Sequence, residues 1–340
     1  RTTHVKFKFL GVLIVLGIAL WFGWWWLAAT AQKEALSGWL SERRAAGWQA
    51  EAVDINVKGF PNRLDATITD PALADPVSGW AWEAPFLQIH QIAYNPSQAI
   101  VIWPETQTIA APGAVATLTA KVMQASLTLG NIADVQVERA SFEARGAVIT
   151  GVDGWNANAE SWVQHIRRAP DAGPENAYEF RGDGVRIILP KVWRAVLDPT
   201  GTLPPSIESI TFEGRAAFDR PLNRYALEGA KPQVVALSLK EAKLGWGGLA
   251  LSVTGSLKAD ANGYAQGEMK VDAHQWEDMV DAAIATNILS ETMGDAVKTG
   301  LGLLARLSGD KNHITAPLTF SGGLMKIGPI PIGAAPKLVN

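Results

Sequence analysis

Five histidines, at positions 4, 90, 165, 274 and 313, are the side chains best suited to hold a metal or move a proton in this chain. No two stand in an HxH, HxxxH or HExxH spacing, and a zinc site needs several ligands converging on one point. Each is read as a surface or packing residue, so no metal ligand is expected. Cysteine is absent, which removes thiolate ligands, a cysteine nucleophile and any disulfide. Asp260-Ala261-Asn262-Gly263 begins like a calcium loop but lacks a third acidic ligand and a closing glutamate, so it reads as a hairpin turn. There is no G-x-S-x-G elbow, no Walker A loop and no G-x-G-x-x-G fingerprint. Carboxylates are scattered along polar positions without an evident acid–base pair. The expectation is a chain with no catalytic residue and no cofactor, and a hydrolase using dispersed carboxylates is a remote alternative.

The elements that carry these residues begin with an apolar segment. From Phe9 to Ala31 no residue is charged. As a helix the segment would extend about 35 Å, enough to cross a hydrocarbon core of roughly 30 Å. Lys6, Lys8 and Lys33 bracket it, and Trp21, Trp24, Trp25 and Trp26 cluster at its C-terminal end, where amphipathic rings settle among headgroups. These four are the expected membrane-anchoring residues. The alternative is a cleavable signal peptide, since Ala29-Thr30-Ala31 has the small-x-small form of a cleavage site, but such segments have shorter apolar runs. Lys and Arg are nearly balanced across the segment, so charge alone barely orients it.

Composition bounds the rest. The 340 residues are 48% apolar and 19% charged, with a formal net charge of −3. A nucleic-acid binder would carry a basic field, which argues against that partner. Gln32–Ala46 reads as a helix continuing the apolar one, with Leu36, Trp39 and Leu40 on one face and Gly47 as its stop. Beyond it, period-two alternation dominates, as at Val53/Ile55/Val57, Leu64/Ala66/Ile68, Ile210/Phe212/Ala216/Phe218 and Leu249/Leu251/Val253/Leu257. Asn262-Gly263 marks a hairpin after the last of these. From Leu118 to Leu129 the apolar set changes parity, which calls for a bulge or turn near Met123. Helices are expected over Ala159–Arg168, from Pro190 through Val196, and over Asp272–Leu307, the last breaking near Ser290 or Gly294.

The predicted architecture is therefore mainly β with α: a transmembrane helix, then a large curved antiparallel sheet, groove-like or sandwich-like, with a few amphipathic helices. The divisions are 1–31 for the tail and span, 32–198 for a first β-rich half, and 199–340 for a second that carries the helical segment 272–307. The apolar sheet faces either form an ordinary closed core or leave an open groove for acyl chains. In the groove reading, Ile210, Phe212, Leu249, Leu251 and Val253 line it.

Four stretches resemble the uncharacterised bacterial envelope proteins of domain-of-unknown-function family 2125. They are the tryptophan-rich helix through Trp39, Gly59-Phe60-Pro61-Asn62-Arg63-Leu64 leading to Asp70-Pro71, Leu244-Gly245-Trp246-Gly247 through Gly267 to Trp276, and Gly322-Gly323-Leu324 followed by Gly328-Pro329-Ile330-Pro331-Ile332-Gly333. Family members often carry a cysteine pair flanking the Gly-Phe-Pro segment, and this chain has none. The C-terminal segment also looks like the closing motif of AsmA-like proteins, which are anchored in the inner membrane and project a β-groove into the periplasm. That resemblance implies a single-pass inner-membrane protein with its bulk in the periplasm, non-enzymatic, binding or transferring membrane lipid in an apolar groove. The alternative is a structural or assembly factor of the envelope that binds a protein partner.

Overall fold

The computed structural model describes residues 2–131, 133–169, 176–199, 201–228, 231–328 and 330–339. The chain is mainly β and divides into two compact units. The first holds residues up to 119 with 123–128, and the second holds 120–122 with everything from 129 onward.

In the first unit, one helix, α1 (Thr2–Ala45), unites the apolar run with the amphipathic stretch after it. No proline interrupts it, and its 44 residues reach about 66 Å at 1.5 Å per residue. Only 6% of its apolar window is buried, so it is not the core helix of a globular unit and is compatible with a single-pass anchor. Arg43 and Arg44 occupy the last turn, where cations complement the helix dipole. The chain then leaves through Gly47 at φ +88°, a left-handed position that favours glycine.

Five antiparallel strands follow in this unit, each interrupted once. β1 (Gln49–Glu51) runs into β2 (Asp54–Lys58), β3 (Arg63–Thr69) into β4 (Ala72–Asp75), and β5 (Trp80–Glu83) into β6 (Phe86–Ile92). β7 (Asn95–Ile102) then runs into β8 (Thr106–Ala111), and β9 (Ala114–Thr119) into β10 (Val122–Asn131). The pairings β1–β4–β5–β8–β9 make one ladder, and β2–β3–β6–β7–β10 the other. Pro71, Pro85 and Pro104 stand in three of the interruptions, where a residue without an N–H breaks a ladder at least cost. The parity change after Leu118 has the same origin: the strand is broken at Ala120–Lys121, between β9 and β10. Leu36, Trp39 and Leu40 of α1 cover this sheet, packing with Ala50, Ile55 and Ile68.

The second unit is an antiparallel meander. Its elements are β11 (Gln136–Gly151), β12 (Asn156–Arg168), β13 (Ala177–Ile188), α2 (Lys191–Leu197), β14 (Ile207–Phe218), α3 (Tyr225–Glu228), β15 (Val234–Trp246), β16 (Leu249–Ala259), β17 (Ala265–His274), α4 (Trp276–Ala285), α5 (Glu291–Ser308), β18 (His313–Ser321), β19 (Leu324–Ile327) and β20 (Ile330–Ala334). Each strand pairs with the next, and β11 and β20 do not pair with each other, so the sheet is open rather than a closed barrel. Residues 199–205 lie inside this unit, between α2 and β14, whose neighbour in the sheet is β13. Asn262-Gly263 turns β16 into β17, with Gly263 at φ +81°.

Two helix expectations need correction. Ala159–Arg168 is not a helix but most of β12, hydrogen-bonded on both sides to β11 and β13. Its apolar residues fit the helical period, with Val163 out of phase with Trp162 and Ile166 for a strand, and two long-range ladders override that pattern; Pro170, expected as its stop, lies outside the described residues. The stretch Asp272–Leu307 does contain two helices, with Ser290 capping the second by accepting from Met293 N at 3.3 Å. Its first three residues, however, belong to β17.

Candidate functional site

Register in the second unit sorts the side chains onto two faces. Across β11 to β18, the residues Phe142, Trp162, Phe180, Phe212, Ala242, Val253, Val271 and Ala316 fall on one side. This face is largely apolar from β14 to β18 and mixed on β12, where Gln164 and Arg168 share it with Trp162 and Ile166, while Glu143, Arg181, Glu213, Lys243, Ser252, Asp272 and Thr315 fall on the other. Such a sheet must bury one face or leave it for a ligand.

Much of the apolar face is covered. Trp276 and Val280 of α4, with Val297, Leu301 and Ala305 of α5, pack over Ala273, Ile314 and Ala316. Near α2, Leu203, Ile207, Trp246 and Leu249 form a second buried cluster, and the Trp246 indole donates to the Pro204 carbonyl at 2.8 Å. Among the residues expected to line a groove, Leu249 is buried in that cluster and Ile210 packs against it. Leu251 packs under α4 and α5, and Val253 lies against the cluster around Leu257 and Met269. Phe212 lies elsewhere. Its ring is 6.1 Å from Trp162 and 6.0 Å from Phe180, in a strip of half-buried aromatics that belongs to none of these clusters.

Glycines shape that strip. A Cβ on Gly182 would stand 2.1 Å from the Phe212 ring, and one on Gly184 would stand 2.7 Å from Trp162. The rings therefore occupy the space that a side chain at either glycine would fill.

The polar face carries a concavity of about 740 Å³ lined by Arg139, Arg167, Glu179, Arg181, Arg215 and Lys240 among others. Its charges are largely matched within the sheet: Arg167 and Arg215 both reach Glu179, at 2.5 and 2.9 Å, and Lys240 reaches Glu213 at 2.8 Å. Hydrogen bonds from Arg167 and then Arg215 hold the Glu179 carboxyl below the ordinary glutamate range. Cross-strand ion pairs of this kind keep a sheet face wetted.

Farther along the same face, β17 and β18 bring together three residues that sequence spacing kept apart. His313 Nε2 stands 3.1 Å from Asp272 Oδ2, which also accepts from the Thr315 hydroxyl at 2.7 Å. The His274 and His313 rings stack with centroids 4.2 Å apart. Thr315, ahead of the imidazoles, keeps the Asp272 carboxyl below its usual range. The missed signal was the Asp-x-His alternation at 272–274, which places both side chains on one face of a strand. Read as the start of a helix, the same residues would point apart.

The expected anchor residues also separate into two roles. Trp21 Nε1 donates to the Pro61 carbonyl at 2.9 Å, and Trp25 Nε1 to the Arg63 carbonyl at 2.7 Å. Phe60 meets Phe22 and Trp25 edge-on at 5.4 and 5.7 Å. Trp24 and Trp26 point away and are 47% and 59% exposed.

A family model matches residues 24–336, nearly the whole of both units. The chain belongs to the DUF2125 family, described as uncharacterized proteins conserved in bacteria. The matched span takes in the Gly-Phe-Pro loop, the aromatic strip and the closing β18–β20 strands. No curated protein and no solved structure matches the chain significantly.

Proposed function

We propose that this DUF2125 protein is a single-pass inner-membrane protein with its bulk in the periplasm, and that it docks lipid acyl chains without covalent chemistry. The observation that carries the reading is the aromatic strip of Trp162, Phe180 and Phe212, half-buried on an apolar sheet face whose helical cover lies elsewhere. Clustered aromatic rings packed over glycine make an apolar surface suited to an extended hydrocarbon chain, which needs area rather than directional hydrogen bonds. Retention of α1 as an anchor is supported by its contacts. Cleavage after Ala31 would remove Trp21 and Trp25, which hold the Gly59–Arg63 loop, and Ala29, which packs with Leu64 and Ala93. Periplasmic placement rests on the C-terminal resemblance to AsmA-like proteins.

Purification in mild detergent followed by lipid mass spectrometry tests this. Phospholipid is expected to co-purify above the level of an unrelated single-pass protein, and Phe212→Glu with Phe180→Glu is expected to reduce it severalfold. Lipid at the control level in the wild type would sink the proposal.

A second reading, an envelope factor that binds a protein partner, is favoured by α5. Leu303 and Leu307 project from it, 59% and 85% exposed, on the side away from its buried Leu301 and Ala305. Crosslinking from position 307 in intact cells would then capture one discrete protein.

A further inference from the structure

The sheet ladder at the foot of α4 and α5 gathers a set of ligand atoms that the family description does not assign. Asp272 and His274 alternate on β17, and His313 and Thr315 alternate opposite them on β18, in the pairs Asp272–Thr315 and His274–His313. Gln275 N donates to the Asn312 carbonyl at 2.7 Å, so by antiparallel alternation both pairs are non-hydrogen-bonded ones, whose side chains approach most closely. One carboxylate oxygen and one nitrogen from each imidazole lie within 4.8 Å of one another. We infer that Asp272, His274 and His313 form a binding site for a divalent transition-metal ion of the zinc class, with one coordination position left to water.

The donor set selects the ion. Two imidazoles and one carboxylate suit zinc and its neighbours, whereas calcium and magnesium require mostly oxygen ligands. The second shell is already in place, because Thr315 donates to Asp272 Oδ2, the oxygen that also meets His313, and fixes the orientation of the carboxylate. Stacked imidazoles hold their lone pairs in two near-parallel planes, so one ring must turn for both to meet a single ion. His274 is exposed and turns about a soft torsion without disturbing the core. The neighbouring β16 places Ala250 and Ser252 beside the two β17 ligands, so no cation intrudes from that strand.

The placement also has a mechanical consequence. His274 ends β17 just before α4, and His313 opens β18 just after α5. A bound ion would clamp both ends of the excursion that covers the apolar face. Closing that neck favours the docked helices over any opened form by mass action.

Isothermal titration of the full chain in detergent, purified without a polyhistidine tag, tests the site with zinc chloride. One zinc per chain is expected, with a rise in Tm. Asp272→Asn, which keeps the shape of the carboxylate, and His313→Ala should each weaken binding about tenfold or more. His90→Ala and His165→Ala should leave it unchanged, and circular dichroism checks that every variant folds. Absence of a stoichiometric zinc, or binding that survives the combined His274→Ala and His313→Ala change, would overturn the inference. Lipid content plays no part in this readout, so the two proposals fail separately.

Discussion

Gly255 and Gly267 let β16 and β17 close on one another. Their φ values are +137° and +144°, and an added Cβ would meet a carbonyl oxygen at 2.3 Å (Glu268) or 2.2 Å (Ser256). Backbone cannot step aside as a ring tip can, so Gly255→Ala is predicted to cost about 2–4 kcal/mol, read from denaturant unfolding. Gly302, with open space around it, should accept alanine without loss. Glu179 gives a pH signature. Its carboxyl is held low in the folded state by Arg167 and Arg215, so its contribution is present above the ordinary glutamate pKa and fades as pH falls through the lowered value. Glu179→Gln should therefore lower Tm slightly at neutral pH, with the gap to wild type shrinking in acid. A gap that widens in acid would contradict the assignment. The two histidines show where reading residues by local spacing stops. His274 and His313 are 39 positions apart, and only strand register, which no window on one segment contains, makes them neighbours.

At the level of elements, α1 does two jobs whose residues interleave. Trp21 and Trp25 bond the Gly59–Arg63 loop, and Trp24 and Trp26 face outward. Replacing Trp21 and Trp25 by Phe keeps the rings and deletes the donors, at about 0.5–1.5 kcal/mol each. Faster hydrogen exchange confined to the 59–64 loop is the expected result. On α5, Leu301→Ala should destabilise by about 2–5 kcal/mol because the side chain is buried among Val280, Val297 and Ile314. Leu303→Ala, on the exposed side, should leave stability nearly unchanged. The long apolar helix and the alternating strands at Leu64–Ile68 and Leu249–Leu257 were legible because each repeats one strong period. β12 was not: Val163 lies on the polar face beside Glu143 and Asp183, and Gln164 lies on the apolar one. With the two faces mixed, only its neighbours β11 and β13 identify it as a strand.

For the molecule as a whole, residue patterning already carried the broad outline: an apolar helix followed by a β-rich chain. What it could not carry was which part of the apolar face the chain covers for itself. Leu249 and Leu251 end beneath α2, α4 and α5, while Phe212 remains in the half-buried aromatic strip outside those clusters, and that division depends on how helices dock onto a finished sheet. The central claim, that this strip is where lipid sits, is tested most directly by a photo-crosslinking residue placed at position 212 in living bacteria, with position 211 on the opposite face as its partner experiment. Lipid adducts identified by mass spectrometry are expected at 212, and few or none at 211. Equal labelling at both positions, or protein adducts alone at 212, would contradict it.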